Sequence, residues 1–485
     1  MTERYPMHLA SEEEVIKARR LQRSFGDGLI AAEVKDLHEA WMKHADTVLE
    51  DEELVSAVHH ALSQRRPNSR RRGREGFPAE VVLRLLILKH VRNWSYEVLE
   101  REVRANLVYR DFSRVGGGKM PDAKTMGRWG VALGPAVITR IHDRIVQIAH
   151  AKDVVRGSRM RVDTTVVETN IHYPTDSSLL GDGVRVLTRA MQKITRLTGV
   201  VGAKLRDRTR SVKLRMLEIA RATRSKAPPS RNKLKRAYGK LLEASGRVVG
   251  QAKRFSREIS GGVKQCIERG RQAALGAQRQ TLDAIVPRLQ QVIHQTKARI
   301  FLGDPRSEGK IVSLFEPSTE VIRKGKASKP TEFGKLVKLQ EAENQIVIDY
   351  EVYARRPNDA ELLIPSIAAH AAKLGRVPRL VAADASFYSA NNEAAAQARG
   401  VKRVCVPNRS TKSAVRQREH RKRWFRDGQR WRTGCEGRIS VSKRRHGLDR
   451  CRYRGEDGMK RWVGLGVIAD NLINIGHAIG KQPAG

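Results

Sequence analysis

The sequence predicts a mixed α/β domain, preceded by helices and interrupted by a long helical hairpin. Three observations carry this reading. β-Branched runs recur at Met160–Val167, Gln345–Tyr353 and Arg379–Ala383. Between about Val184 and Phe301 apolar residues recur three and four apart, as a helix seam requires. The chain has 485 residues and is 40% hydrophobic, enough for several domains and a sizeable core. The boundaries read as 1–150 for a helical N-terminal domain and 151–183 for the first part of the α/β domain. A helical insertion follows at 184–302, and 303–485 holds the remainder with a basic C-terminal region.

Lys and Arg number 94 against 52 Asp and Glu, a net charge of +42. Such an excess repels itself in a compact fold unless a polyanion neutralises it, and nucleic acid is the polyanion of choice. An anionic membrane surface is disfavoured, because no long amphipathic helix carries a bulky aromatic face. The apolar runs are too short to span a bilayer, and the polar, acidic start MTERYPMHLASEEE is unlike a secretory signal. The four cysteines, Cys266, Cys405, Cys435 and Cys451, form no Cys-x-x-Cys pair. That argues against a zinc ribbon or disulfide framework and for a reducing, cytoplasmic setting.

Taken in order, residues 1–64 read as helical and mixed in charge. Arg65, Arg66, Arg70, Arg71, Arg72 and Arg74 then make an exposed basic linker, either a solvated run or a phosphate-contacting arm. Phe77-Pro78 opens a helix through Val81, Val82, Leu85, Leu86 and Leu88. Trp94-Ser95 starts a second, and Pro121-Asp122 caps a third through Met126 and Trp129. Three short helices with a basic approach suit a helix-turn-helix DNA-binding domain, and equally a plain bundle. In the insertion, Val184, Leu187, Met191, Ile194 and Leu197 form one seam and Leu282, Ile285, Val286, Leu289, Val292 and Ile293 another, with Pro228-Pro229 between. These are read as two antiparallel arms. After Gly303, strands are expected at Ile311–Phe315, Leu336–Leu339 and Gln345–Tyr353, the last two joined by a turn at 341–344. A basic loop carrying Lys324 and Lys326 lies among them. A helix over 358–373 and a buried strand ending at Asp384 follow.

Three acids stand out. Asp163 interrupts a strand that otherwise reads as buried, and Asp384 follows the strand Leu380–Ala383 directly, at the edge where α/β sheets bind ligands. Glu436 lies in a stretch where, as a helix, Glu436, Ile439, Ser440 and Lys443 share a face. Each alone reads as an ordinary capping or surface acid. Together they suit phosphodiester chemistry, which needs an activated hydroxyl and a stabilised leaving oxygen. Two Mg²⁺ ions do both, and Mg²⁺ takes a few carboxylates on rigid supports.

With these motifs the chain resembles the bacterial insertion-sequence transposases of the DDE class, from about Phe77 to His477. Asp163-Thr164-Thr165 is similar to the first catalytic motif, and Asp384 through Ser389 to the second. Arg432, Glu436 and Lys443 match the spacing of the third. Ser95-Tyr96, Tyr109 through Phe112 and Pro121 through Thr125 resemble the family's helical N-terminal part. One departure is Gln429, where a tyrosine often stands. The resemblance implies a ribonuclease-H-like catalytic domain whose Asp163, Asp384 and Glu436 are catalytic and hold Mg²⁺, with Mn²⁺ able to substitute. It implies metal-dependent strand cleavage and strand transfer on double-stranded DNA, at inverted-repeat ends and target, by a homodimer or larger assembly in the nucleoid-bearing cytoplasm. The DNA contacts expected are Arg432, Lys443, Arg444 and Arg445, with Lys324 and Lys326 of the basic loop. Trp424, Phe425 and Trp431, interleaved with Arg and Lys, suit either stacking on unpaired bases or core packing. Two other readings remain at this point: a catalytically inactive, sequence-specific DNA-binding protein of transposase descent, and a protein that merely organises nucleic acid.

Overall fold

Side-chain caps begin most of the N-terminal helices, each accepting from an otherwise unpaired backbone N–H of the first turn. In the computed structural model, which describes residues 15–20, 24–65, 76–198, 205–224, 231–262, 269–323 and 330–481, Ser24 caps α1 (Phe25–Glu33). Next come α2 (Ala40–Leu49) and α3 (Glu52–Ser63), the latter capped by Asp51. Pro78 precedes α4 (Ala79–Val91). Ser95 caps α5 (Tyr96–Ala105), Asn106 caps α6 (Leu107–Phe112) and Asp122 caps α7 (Ala123–Ala132). α8 (Pro135–Ala151) leads to β1 (Arg159–Thr169). Every residue of α4 is buried, so this helix is the axis around which the others pack. The arginine cluster from Arg66 to Arg74 lies outside the described residues.

The chain divides into two compact units, Met1–Asn170 with Gly334–Gly485, and Ile171–Phe333. The second unit holds α9 (Asp176–Thr198), α10 (Thr209–Arg224), α11 (Arg231–Gly262) and α12 (Arg269–Lys297), then β2 (Glu320–Arg323). Two expectations are corrected here. The insertion is not a two-armed hairpin but four helices sharing one core, in which Leu187 and Met191 of α9 meet Phe255 of α11 and Leu289 of α12. Ile311–Phe315 is not a strand. Its backbone is satisfied instead by side chains of α12: Gln295 pairs with both the N–H and the carbonyl of Ile311, and Arg288 donates to the Leu314 carbonyl.

The first unit resumes with β3 (Thr331–Glu341), β4 (Val347–Val352), α13 (Leu363–Leu374), β5 (Leu380–Ala382), α14 (Ala390–Ala398) and β6 (Arg403–Cys405). α15 (Ala414–Arg421), α16 (Arg423–Arg445), β7 (Arg450–Cys451) and α17 (Gly455–Ile479) complete it. The main strands lie in the order β4-β3-β1-β5-β6; β1 is antiparallel to β3, and β5 is parallel to both β1 and β6. Alternation along β1 splits its side chains between two faces. Met160 and Val162 share a core with Leu363 and Ile367 of α13, while Arg161 reaches α16 on the other face.

Among the described residues α17 alone is long and apolar enough to cross a membrane, yet 78% of its most apolar window is buried inside the fold. Asn471 of α17 both accepts from the N–H of Val347 and donates to its carbonyl, and Asp470 pairs with Arg438. Both side chains are spent on contacts within the fold.

Lys89 of α4 is 2% exposed and sits in an aromatic box, its Nζ 4.9 Å from the Tyr96 ring, 5.1 Å from Tyr453 and 4.9 Å from Trp462. Burial pulls its pKa down to about 7. Between that value and the ordinary lysine pKa of about 10.4 the unfolded chain binds the extra proton. Stability therefore rises with pH across this window and carries the full penalty below it. Lys89→Met is accordingly expected to raise the thermal midpoint at pH 6 and change it little at pH 10. Equal shifts at both pH values in a melting series would refute the assignment.

Candidate active site

The site is built on the centre of the sheet. Asp163 is the fifth residue of β1, opposite Leu339 of β3, and its side chain is 14% exposed. On its other side β5 pairs Ala382 with Arg161. β5 ends two residues before Asp384, which leaves the sheet at the strand end next to β1. Asp384 caps the short turn Ala385–Phe387, accepting from the Ser386 N–H at 2.9 Å and from its hydroxyl at 2.5 Å.

Glu436 comes from α16, which lies close against the same edge because two glycines permit it. A side chain at Gly428 would collide with Cys405 of β6, and one at Gly434 with the Arg161 guanidinium. Arg161 is a tether that sequence reasoning missed. It pairs with Glu341 at 2.5 Å, donates to the Trp431 carbonyl of α16 at 2.5 Å, and lies over the Trp431 ring at 4.9 Å. Gln429, the departure from the family motif, is a second tether. Its amide donates to the carbonyls of Ala383 (3.2 Å) and Cys405 (2.6 Å), closing the ends of β5 and β6.

Arg432 joins two of the acids. Its Nη2 is 2.9 Å from Glu436 and its Nη1 is 4.0 Å from Asp163, while its Nε is buried with no hydrogen-bond partner. Nearby, burial holds the Cys435 thiol well above its usual range, and the negative charges of Glu341 and Asp163 add to this. Cys435 is therefore a neutral packing residue and not a nucleophile.

A further carboxylate enters that the sequence did not single out. Asp359 opens the turn before α13 and accepts from the Thr164 hydroxyl at 3.2 Å and from the Ser386 hydroxyl at 2.9 Å. Thr164 also donates its N–H to Asp163 at 2.7 Å. The hydroxyl of Ser386 thus lies between two carboxylates with a single proton to give.

The structure does not gather every residue expected at the site. Arg444 and Arg445 are exposed at the last turn of α16, and Lys443 is half-buried two turns beyond Glu436, a rise of about 10 Å. Lys324 and Lys326 lie outside the described residues. Of the two readings open for the interleaved aromatics, core packing is the one observed. Phe425 is buried against Ala382 and Cys405, and Trp424 and Trp431 pack beneath Arg403 and Arg161. Their spacing is that of the helix face turned to the sheet.

A second basic surface lies in the N-terminal helices. A cleft of about 1350 Å³ is lined by Lys17, Arg20, Arg104, Arg110, Lys119 and Arg128, with Phe77 and Trp129 on its wall.

Residues 35–130 match the model of a transposase domain (DUF772), and residues 392–475 match the model of the transposase DDE domain. On these two matches the chain is similar to the insertion-sequence transposases of the DDE class. Its function is that of a DNA transposase. No curated protein and no solved structure matches it. The first match contains α5, α6 and most of α7, which line the cleft, and the second contains α16 with Glu436. Transposases of this family bind DNA and use a divalent metal.

Among the described residues no three His, Cys, Asp or Glu side chains stand close enough together to hold a metal ion. The donor chemistry nonetheless fits one. All the candidates are carboxylates, the ligands a hard cation takes. Two of them, Asp359 and Asp384, face the single proton of the Ser386 hydroxyl, which leaves a surplus of negative charge at the strand end. The Arg432 guanidinium stands where a cation would between Asp163 and Glu436.

Proposed function

We propose that the transposase is catalytically competent and that Asp163, Asp384 and Glu436 form its active site in a ribonuclease-H-like domain. The observation that carries this is the Arg432 bridge. It draws an acid from the centre of β1 and an acid from α16 to one cation, at the strand edge where Asp384 emerges. The mixed sheet, with α13 and α16 on opposite faces, supports the fold assignment.

The three carboxylates would hold Mg²⁺, for which Mn²⁺ can stand in. Bound there, the metal supplies an activated water or 3′-hydroxyl and a stabilised leaving oxygen. The chain's own residues do the rest. Arg161 and Gln429 fix α16 against the sheet, so that Glu436 is presented by a rigid element. Arg432 turns from the acids to the scissile phosphate, where its unused Nε gives it a further donor for bidentate contact. Lys443, Arg444 and Arg445 continue the cationic path along the bound strand. The N-terminal cleft grips the terminal repeat through phosphate contacts. Two ends must be held together for transfer, so the working form is a dimer or larger assembly on DNA, in the cytoplasm beside the nucleoid.

The direct test is cleavage of a plasmid carrying this element's own termini by the purified protein with Mg²⁺ or Mn²⁺. Breaks at the element boundary are expected with metal and none with EDTA. Tight binding to those ends without metal-dependent nicking would overturn the proposal in favour of an inactive DNA-binding protein. For the cleft, Arg104→Glu combined with Arg128→Glu is expected to weaken end binding and to flatten the log K against log salt slope by about 2. An unchanged slope would place the phosphate contacts elsewhere.

A further inference from the structure

We infer that Asp359 is a positioning residue for the metal site, setting the spacing of Asp163 and Asp384; the inference rests on the three-acid reading above. The two acids come from different strands. β1 and β5 are neighbours in the sheet, but side-chain geometry is set by hydrogen bonds. Asp359 supplies one to each neighbourhood. One oxygen, Oδ1, accepts from Thr164, whose N–H holds Asp163 at 2.7 Å. The other, Oδ2, accepts from Ser386, whose N–H holds Asp384 at 2.9 Å. A single carboxylate thus spans the two motifs.

Its own placement is over-determined. Asn358 caps the turn that carries Asp359. The Asn392 amide donates to Ala360 at 2.5 Å and to Phe387 at 3.1 Å, clamping the Asp359 turn to the Asp384 turn. Among the described residues Asp359 makes no ion pair, so charge neutralisation is not what keeps it there. An apolar residue or an amide would satisfy the turn equally well. A carboxylate presents one acceptor oxygen to the Thr164 hydroxyl and the other to the Ser386 hydroxyl, whose single proton it shares with Asp384. Groups that orient the ligands of a metal typically change its affinity by about 10–100-fold when removed.

The test is a titration of the full-length protein with Mn²⁺ alone, followed by electron paramagnetic resonance, beside thermal melting of each variant. Asp359→Asn keeps the size and one acceptor, and is expected to weaken Mn²⁺ binding about 10-fold with an unchanged melting midpoint. Thr164→Val is expected to weaken binding to a similar degree and Thr164→Ser to restore it. Thr164→Val with Asp359→Asn together should be little worse than either alone, because both remove one linkage. If Asp163→Asn loses Mn²⁺ while Asp359→Asn binds like the wild type, the positioning role is overturned and the three-acid site stands. If Asp359→Asn loses Mn²⁺ as completely as Asp163→Asn, Asp359 is a ligand and the positioning role is again overturned. If Asp163→Asn itself binds like the wild type, the three-acid site fails and the positioning role with it.

Discussion

Asp163→Asn is expected to abolish strand cleavage while leaving the fold intact. The rate should fall by at least roughly 10³-fold, or about 4 kcal/mol of lost transition-state stabilisation, since a metal ligand is being removed. The cost to folding is small. The Arg432 guanidinium is 4.0 Å from the carboxylate, a weak pair worth about 1 kcal/mol or less. The amide oxygen of Asn can still accept from the Thr164 N–H that Asp163 now holds. Asp384→Asn and Glu436→Gln should behave alike. A gel assay of end cleavage beside a melting curve decides it, and cleavage within tenfold of wild type by any of the three would remove that residue from the site.

The largest effect on stability is expected at Glu341. This residue is fully buried and pairs at 2.5 Å with Arg161, whose side chain is 4% exposed. Removing one partner of such a pair leaves an uncompensated charge in the core and costs about 3–5 kcal/mol. Glu341→Leu should therefore lower the denaturation midpoint sharply. Arg161→Leu with Glu341→Leu should recover most of that loss, since two packed apolar side chains replace the pair. The double variant should still cleave poorly, because Arg161 also holds the Trp431 carbonyl and so the helix that carries Glu436. Stability and activity thus separate at one site. A single Glu341→Leu variant destabilised by less than about 1 kcal/mol would show that the pair does not carry the sheet-to-α16 contact.

What the sequence made legible is what local chemistry encodes. A lone aspartate in a β-branched run placed Asp163 at the centre of β1, and a buried run ending in an acid placed Asp384 after β5. Helical spacing placed Glu436 and Arg432 one turn apart on α16. The caps at Ser95 and Asp122 began helices α5 and α7 as read. What failed to show depends on partners far along the chain. Asp359 reads as an ordinary turn aspartate, because its two hydroxyl partners are 195 and 27 residues away. Gln429 reads as a loss from the motif until its amide is seen closing two strand ends. Seam periodicity gives a helix a buried face but not the number of helices that share it, so a four-helix unit passed for a hairpin. Ile311–Phe315 is short and apolar like a strand, yet its backbone partners are side chains of α12.

In the proposed mechanism three carboxylates, from β1, the end of β5 and α16, close on metal once Arg432 moves to phosphate. The most direct measurement is an anomalous diffraction map from crystals of the protein with its terminal DNA and Mn²⁺. The account predicts a peak bounded by Asp163, Asp384 and Glu436, with Arg432 turned onto a DNA phosphate. A peak held by other residues, or DNA seated in the site with Arg432 still bridging Asp163 and Glu436 and no metal between them, would contradict it.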